Sequence, residues 1–514
     1  MSKTIIIIGA GLAGLSAALQ AAENGCNVKL VSSLPSERAQ SVMAEGGINA
    51  ALNTKDENDS PEEHFTDTIK AACGLADPNA VWEMTQAAPE LVHWLLKLGV
   101  KFNMSGYDDV DLRNFGGQKK KRTAFAQSDT GKQIMTAMID AVRRKEASGM
   151  VERFSHHSFL TLRLCGNICC GCVIRDEYSQ ETVELPGDAV IVATGGMHGL
   201  FGNTTGSLSN TGEVTAELFR LGVPLANGEM IQYHPTTVKC GGKRMLISEA
   251  ARGEGGRLFA MKDGKQWYFM EEKYPELGNL MPRDITAREI WKVSHESEVF
   301  LDMTEISEEI ISNKLSGLAD DCMTYLHKDI RKEPVSVLPG IHYFMGGILV
   351  DEQHRTPIQN LCAAGECCAQ YHGANRLGGN SLLGALYGGR VAAKSACEQA
   401  DVVDLSCATQ IDFPPASQIS EIKQLNKVMQ ETMGVVRNEN TLLNGIQTVQ
   451  ALTGNLPLLG MAVLKSALAR KESRGAHWRE DYPKSNDNDY LKTTVARFDG
   501  KQIQISFVPV PERR

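Results

Sequence analysis

The stretch Thr4-Ile5-Ile6-Ile7-Ile8-Gly9-Ala10-Gly11-Leu12-Ala13-Gly14 decides the fold. Four consecutive isoleucines ending in glycine read as a strand buried on both faces of a parallel sheet. The Ala/Leu-rich segment that follows, closed by Gly25, reads as a helix, and Val28 to Val31 as a second strand. Strand, glycine loop, helix and strand in this order form a βαβ unit. In such a loop the first glycine permits the tight turn, the second lets the backbone approach a pyrophosphate, and the third lets helix and strand pack closely. The phosphates then sit at the positive end of the helix. The alternative, a purely structural glycine turn, does not require helix and strand to flank the loop in this way. At the end of the second strand, where an acidic residue would hold a ribose diol, stand Ser32 and Ser33. That departure weakens a plain NAD reading and leaves FAD open.

Composition is consistent with a large globular enzyme. At ~150 residues per domain, 514 residues allow roughly three domains. Net charge is −9, from 53 Lys+Arg against 62 Asp+Glu, which argues against a nucleic-acid coat. Hydrophobic residues at 42 % and charged residues at 22 % exclude disorder. Glycine is over-represented, with 48 residues. The 13 cysteines include Cys169, Cys170, Cys172 and the pair Cys367–Cys368, without disulfide or metal-site spacing. Reduced thiols in the cytoplasm, and no metal or iron–sulfur site, are expected. Met1-Ser2-Lys3-Thr4 runs into the first strand without a signal-peptide layout. No apolar run reaches ~18 residues. Cytoplasmic location is expected, with any membrane association made through a partner.

Further along, residues 188–196 read as another buried strand and 159–185 as a polar-turned hairpin. Residues 230–340 change texture to Gly-rich loops, charged segments and short helices, as an inserted domain would. Short-strand style returns at 347–351 and 361–366, followed by a helix over 382–400. Helical patterns at 419–433 and 440–452 suit a small bundle, and 486–514 ends in a hairpin pattern. The expected class is α/β. A discontinuous Rossmann-like dinucleotide domain (1–229 and 341–402) carries an inserted α+β cap (230–340). A C-terminal helical domain with a terminal hairpin (403–514) follows.

Six more segments carry the chemistry. They are A-E-G-G-I-N-A-A at 44–51, H-P-T at 234–236 with S-E-A-A-R-G-E-G-G at 248–256, M-P-R-D at 281–284, H-Y-F-M-G-G-I at 342–348, H-G-A-N-R-L-G-G-N-S-L-L at 372–383, and S-R-G-A-H-W-R-E-D-Y-P at 473–483. In this order and over essentially the whole chain, they resemble the flavoprotein subunit of fumarate reductase and succinate dehydrogenase, a superfamily that includes L-aspartate oxidase. The resemblance implies FAD, a dicarboxylate substrate, and hydride transfer from flavin N5 to an enoate carbon. It places His234, His342 and Arg376 around the two carboxylates, with Ser248, Glu249 and Phe115 also touching substrate. It makes Arg283 the proton donor, fed by Arg252 and Glu249. Carboxylates are well held by arginine and histidine; an arginine acid works only through a partner such as Glu249. For FAD it implies Gly9, Ala10, Gly11, Leu12, Ala13, Gly14, Ser32, Ser33, Gln40, Ser41, Ala44, Glu45, Gly46, Gly47, Thr194, Gly195, Glu213, Glu366, Arg376, Asn380, Ser381, Leu382 and Leu383. Two positions depart from the family pattern. Gln40 stands where respiratory members carry the histidine that bonds covalently to flavin, so FAD is expected to be non-covalent and fumarate reduction favoured over succinate oxidation. Glu213 replaces a usual aspartate.

Taken singly, these residues have plainer readings. His234 before a proline suits a turn, His342 a core position, and Arg252 and Arg283 surface ion pairs. Their occurrence as an ordered set favours the functional reading. Lys119-Lys120-Lys121-Arg122 reads as a solvated face, with anion steering as the alternative. The 473–483 motif is assigned packing or subunit contact. The pairs Gly46–Gly47, Gly195–Gly196, Gly255–Gly256, Gly346–Gly347 and Gly378–Gly379 are expected where backbone passes flavin or substrate. Among rivals, L-aspartate oxidase agrees with Gln40 but resembles this chain with a glutamate at the position of Phe115. A reductase of another unsaturated carboxylate, and a non-catalytic flavin-binding protein, are the remaining alternatives. The chain shows no iron–sulfur ligand set, so electrons are expected from an iron–sulfur or other electron-transfer partner, a free flavin or a soluble carrier.

Overall fold

The computed structural model describes residues 2–106, 109–399 and 418–514. Thr4–Ile8 (β1), Asn27–Ser32 (β2), Val151–Ser155 (β3), Ala189–Val192 (β4) and Leu361–Ala363 (β5) form one parallel sheet in the order β5-β4-β1-β2-β3. Ile5 to Ile8 are all buried, because helices cover one face and a second sheet the other; an alternating pattern would have left one face polar. Leu12–Glu23 (α1), Thr130–Ala147 and Asn380–Gln399 pack on the first face. The antiparallel strands His157–Cys165, Ile168–Asp176 and Thr182–Pro186 cover the second. Strand order reverses between β1 and β4. The carboxyl ends of those strands therefore open a crevice where doubly wound sheets bind ligands.

The opening loop is shaped by close packing. Gly9 has φ +111°, and a Cβ there would lie 2.2 Å from the Ala193 carbonyl oxygen; one on Gly14 would lie 1.8 Å from the Gly9 oxygen. Around Gly11 the nearest atom to such a Cβ is 3.7 Å away. Two glycines are thus fixed by strand and helix contacts, and the middle one leaves the start of α1 approachable. Gly11 has no side chain to cap that helix start, Ser41 Oγ accepts from Leu12 N at 3.3 Å, and the first turn holds no acidic residue.

The inserted segment has its own core. Strands Arg257–Lys262, Lys265–Trp267, Val299–Asp302 and Val335–Ser336 form an antiparallel sheet. Helices Arg283–Val293, Glu308–Lys314 and Ser316–Asp321 accompany it, and Leu258, Phe269, Ile290 and Leu301 fill it. Phe115 inserts into this core from the other side of the cleft. The chain enters through Ile231–Cys240 and leaves through Leu338–Phe344, two strands paired to each other.

The helices Ile419–Thr432, Glu439–Val449 and Asn455–Ala469 share a core with Phe201, Phe219 and Ile231. The terminal hairpin, Lys492–Phe498 with Ile503–Pro509, is present. Its first strand pairs with Leu225–Ala226, so it extends a five-stranded mixed sheet instead of standing with the helices. The boundary expected at 402–403 lies outside the described residues. Among the described residues no helix is long and apolar enough to cross a membrane. The basic run resolves into separate parts. Arg122 is a core residue between Asp59 at 2.8 Å and Asp67 at 2.9 Å, which corrects the expectation of a uniformly solvated face. Lys120 and Lys121 pair with Glu63 and Glu57.

Candidate functional site

A cavity of about 880 Å³ runs from the β1 and β4 ends to the inserted domain. Its walls include Gly9 to Ala13, Ser32, Ser33, Gln40, Ser41, Ala44 to Gly47, Thr194, Gly195, Glu213, Glu366, Ser381 and Leu382. At its far end are Phe115, Ser248, Glu249, Arg283, His342 and Arg376. The residues fit an FAD. The start of α1, without an acidic residue in its first turn, suits a pyrophosphate, and Ser32 Oγ and Glu45 Oε2 are buried without a hydrogen-bond partner among the described residues. Such orphaned groups in a cavity signal a ligand. Gly14, Asn380 and Leu383 do not line the cavity. Asn380 instead bonds Asn49, His64 and Thr68, and Leu383 lies in the core beside α1.

The far end is built around one carboxylate. Ser248 caps the short helix Glu249–Gly253 by accepting from Ala250 N, which fixes Glu249 at its first position. Glu249 Oε2 accepts from Arg283 Nε and Nη2 at 2.8 and 2.6 Å. Oε1 accepts from Gly116 N at 3.1 Å and faces Arg252 Nη2 at 3.3 Å. Arg283 begins the helix Arg283–Val293 and also donates to Gln232 Oε1 at 3.1 Å. Arg252 donates to Asn279 O at 2.6 Å and stands behind Glu249, off the cavity wall. Opposite, the Arg376 guanidinium lies 4.3 Å over the Tyr343 ring and has no carboxylate partner among the described residues. The His234 and His342 rings meet edge-on at 5.1 Å, with Thr205 Oγ1 2.8 Å from His342 Nδ1.

Burial sets the electrostatics. It pushes Arg376 down to about 9, helped by the neighbouring Arg283 charge. Burial and then Arg283 also hold His234 and His342 well below the usual histidine range, so both rings are neutral near pH 7. Burial pushes the Glu249 carboxyl up, but Arg283 and Arg252 overrule it and leave it below its ordinary value. Glu45 is pushed up to about 8 by burial and then by Asp321. At neutral pH the far end thus sets three guanidiniums against the single Glu249 carboxylate, an arrangement matched to a dianion.

Several participants carry no motif signal. Gln232 links the two arginines: its Nε2 donates to the Arg376 carbonyl at 2.8 Å while Oε1 accepts from Arg283. It lies two residues before His234 on one strand, and both are buried, with a break in the strand's register between Gln232 and Tyr233. Thr205 is another, whereas Tyr343 stands inside the 342–348 segment. The glycine pairs divide. A Cβ on Gly46 or Gly378 would strike the Phe115 ring, within 2.7 and 3.0 Å, at the cavity. On Gly256, Gly346 and Gly347 it would meet the carbonyls of Ala251, Asn227 and Cys367, at 2.7, 1.9 and 2.3 Å. Those three serve backbone packing, which corrects the expectation that every pair borders the cleft.

Comparison with known proteins agrees with this geometry. The FAD binding domain family matches residues 4–382, and the fumarate reductase flavoprotein C-terminal family matches residues 452–513. The succinate dehydrogenase flavoprotein subunit of Bacillus subtilis is 38 % identical, over 100 % of this chain and 98 % of its own length. The chain belongs to the succinate dehydrogenase and fumarate reductase flavoprotein family. The 8-methylmenaquinol:fumarate reductase flavoprotein subunit of Wolinella succinogenes is 32 % identical, over 100 % of this chain and 92 % of its own. A quinol fumarate reductase structure from E. coli superposes with a TM-score of 0.90 at 27 % identity, covering 99 % of this chain and 97 % of that one. As a member of this flavoprotein family the chain is an FAD-binding oxidoreductase, with the α/β cofactor domain, inserted cap and C-terminal helical domain of its relatives.

Proposed function

We propose that the protein interconverts fumarate and succinate, chiefly as a fumarate reductase, with Arg283 delivering the proton. The observation that carries this reading is the Glu249–Arg283 pair sharing one cavity wall with Arg376 and the neutral His342, whose ring meets that of His234 edge-on just off the wall. Arg376, His234 and His342 bind the carboxylates, and Phe115 packs against the carbon chain between them. Ser248 and Glu249 complete that wall. Arg283 presents a guanidinium proton to the substrate, and Glu249, bridging Arg283 and Arg252, is the group through which it is replaced. The cap and the cofactor domain together keep water from this step. When bound, FAD supplies the hydride chemistry. The cofactor-facing residues named above would hold it, with Gly9 to Ala13 at the pyrophosphate and Ser32 and Ser33 at the adenosine end.

The flavin is read as non-covalent. Gln40 carries an amide where bonding would need an imidazole, and its Oε1 accepts from Ser207 N at 2.6 Å. Acid precipitation should release all yellow colour; colour retained in the pellet refutes this. Electrons arrive through a partner, most simply an iron–sulfur subunit, which would also hold the chain at a membrane surface. We read the cofactor domain as 1–229 with 341–402, the cap as 230–340 and the C-terminal domain as 403–514. Fumarate-dependent oxidation of reduced viologen by the purified flavoprotein tests the reading, and its absence overturns it. Aspartate-dependent peroxide production would promote the L-aspartate oxidase alternative. The buried Phe115 ring, which offers nothing polar to a substrate amine, speaks against that alternative.

A further inference from the structure

We propose that Trp478, within the 473–483 motif, latches the cap-side helix carrying Arg283, and that Trp478 and Arg288 are positioning residues for proton delivery. The inference rests on the proposed role of Arg283. Arg288 lies five residues beyond Arg283 on the helix Arg283–Val293, and its guanidinium carbon stands 4.0 Å above the Trp478 ring centroid. Trp478 itself is held firmly. Its neighbours His477 and Arg479 are fully buried, and its carbonyl accepts from Arg437 N at 2.9 Å. The Arg437 side chain continues to the Glu229 carbonyl at 2.7 Å and His477 Nδ1 at 2.9 Å, and so reaches the start of the strand that bears Gln232 and His234. On the other side, Ala476 N donates to the Ala374 carbonyl at 2.9 Å, two residues before Arg376. One segment therefore grips the Arg376 loop through its backbone and the Arg283 helix through a ring. A cation held over an indole face attracts it without the directional demands of an ion pair. Such a contact tolerates small shifts of the cap while limiting larger ones, and it fixes the distance between the carboxylate-holding arginine and the proton donor.

The test compares Trp478→Ala, Trp478→Phe and Arg288→Ala in the flavin-loaded protein. The expected result for both alanine variants is a kcat for fumarate reduction lowered about threefold to tenfold, the loss a contact of this class allows. KM should change by less than about twofold and flavin content should stay the same. Trp478→Phe should recover most of the rate, and Trp478→Ala/Arg288→Ala together should be no slower than either alone. Hydrogen–deuterium exchange supplies the readout that does not need activity: peptides covering 283–293 should exchange faster in both alanine variants. Unchanged exchange there, or additive losses in the double variant, overturns the latch. Wild-type protein inactive with fumarate would instead refute the proposed reaction, while faster exchange in the variants would still uphold the contact. Should Trp478→Ala fail to fold, Arg288→Ala approaches the same contact from the cap and decides it.

Discussion

Glu249→Gln keeps the side chain's shape and removes its charge. In the wild type this carboxylate accepts from Arg283 twice and from Gly116 N, and it faces Arg252 at 3.3 Å. Arg283 and Arg252 are only 6 % and 3 % exposed, so water cannot replace the lost charge at Arg252. An amide keeps one acceptor oxygen, and its NH2 group must then confront either the guanidinium or the Gly116 N–H. Removing one member of a buried ion pair costs about 3–5 kcal/mol; the lower end, about 3 kcal/mol, is expected because Arg283 borders the cavity. Glu249 is held below its ordinary 4.5 in the native state by the arginines. Its contribution is therefore complete above pH 4.5 and lost as pH falls below it, and the variant should lack that acid dependence. On catalysis, an amide cannot relay a proton, so kcat should drop about 10²–10⁴-fold, the usual weight of general acid–base help. KM should hold steady or fall, since the cleft gains positive character toward a dianion. Steady-state fumarate reduction and denaturant unfolding at pH 4 and 7 measure these effects. A kcat within about threefold of wild type would refute the relay. A raised KM at unchanged kcat would show that Glu249 serves binding alone.

Three other outcomes follow from the same geometry. Burial and the Arg283 charge bring Arg376 down to about 9, so kcat/KM for a dicarboxylate should fall about tenfold per pH unit above that value; a flat profile to about pH 10.5 refutes that lowered proton affinity and leaves the anchoring role to an Arg376→Lys or Arg376→Gln comparison of KM. Glu45 binds its proton in the native state up to about 8, through burial and Asp321, against 4.5 when unfolded. Stability should therefore decline with rising pH between those values, by about 1.4 kcal/mol per unit at most. Glu45→Gln should flatten that decline in denaturant titrations, and an identical slope in the variant contradicts the assignment. Gly475 has φ +53° and would set a Cβ 2.5 Å from the Ala374 carbonyl oxygen. Gly475→Ala should strain that contact by at least ~1 kcal/mol and raise KM through the Arg376 loop, and an unchanged KM speaks against that coupling.

Much of the architecture could be read from local signals. The isoleucine run, the glycine loop and the Ala/Leu helix are short-range features; β1 and β2 fall within a residue of where they are expected, and α1 begins at Leu12, three residues early and inside the glycine loop. Helices without chemistry were less visible to a reading led by motifs. Pro61–Ala71 and Pro78–Leu98 nevertheless announce themselves through Ser60 and Asp77 caps followed by proline. The terminal hairpin was legible as a hairpin but not as part of a sheet with Leu225–Ala226, because a pairing between segments so distant in the chain leaves no local trace. The site shows the same division. His234, Arg283 and Arg376 stand out by residue type, and the cavity brings the donor and the anchor together. Gln232 and Thr205 are ordinary polar residues in sequence; only the folded arrangement reveals that Gln232 joins Arg283 to the Arg376 backbone. Glycine was the most ambiguous residue, since a Cβ collision with a carbonyl and one with a cofactor predict the same letter.

The buried arginines separate structure from function more sharply than composition can. Arg122, Arg437, Arg470 and Arg479 are all enclosed, and each is held by carboxylates or carbonyls of the protein, with only Arg122 Nη1 and Arg437 Nη2 left without a hydrogen bond to the described residues. Arg122 has Asp59 and Asp67; Arg470 has Glu229 and Glu472; Arg479 has Asp481; Arg437 has the Glu229 and Gly434 carbonyls. Arg376 is just as enclosed, yet its guanidinium has only the Tyr343 ring beside it and makes no hydrogen bond to the described residues. A buried charge without an anion is costly, and such groups persist where a ligand completes them. The same cost explains its lowered affinity for its proton, which a bound carboxylate would restore. A chain at −9 overall thus contains a cleft whose incompletely paired guanidinium is poised for an anion. The Trp478 motif grips the loop that holds Arg376 through Ala374, so the C-terminal region bears directly on where that charge is presented.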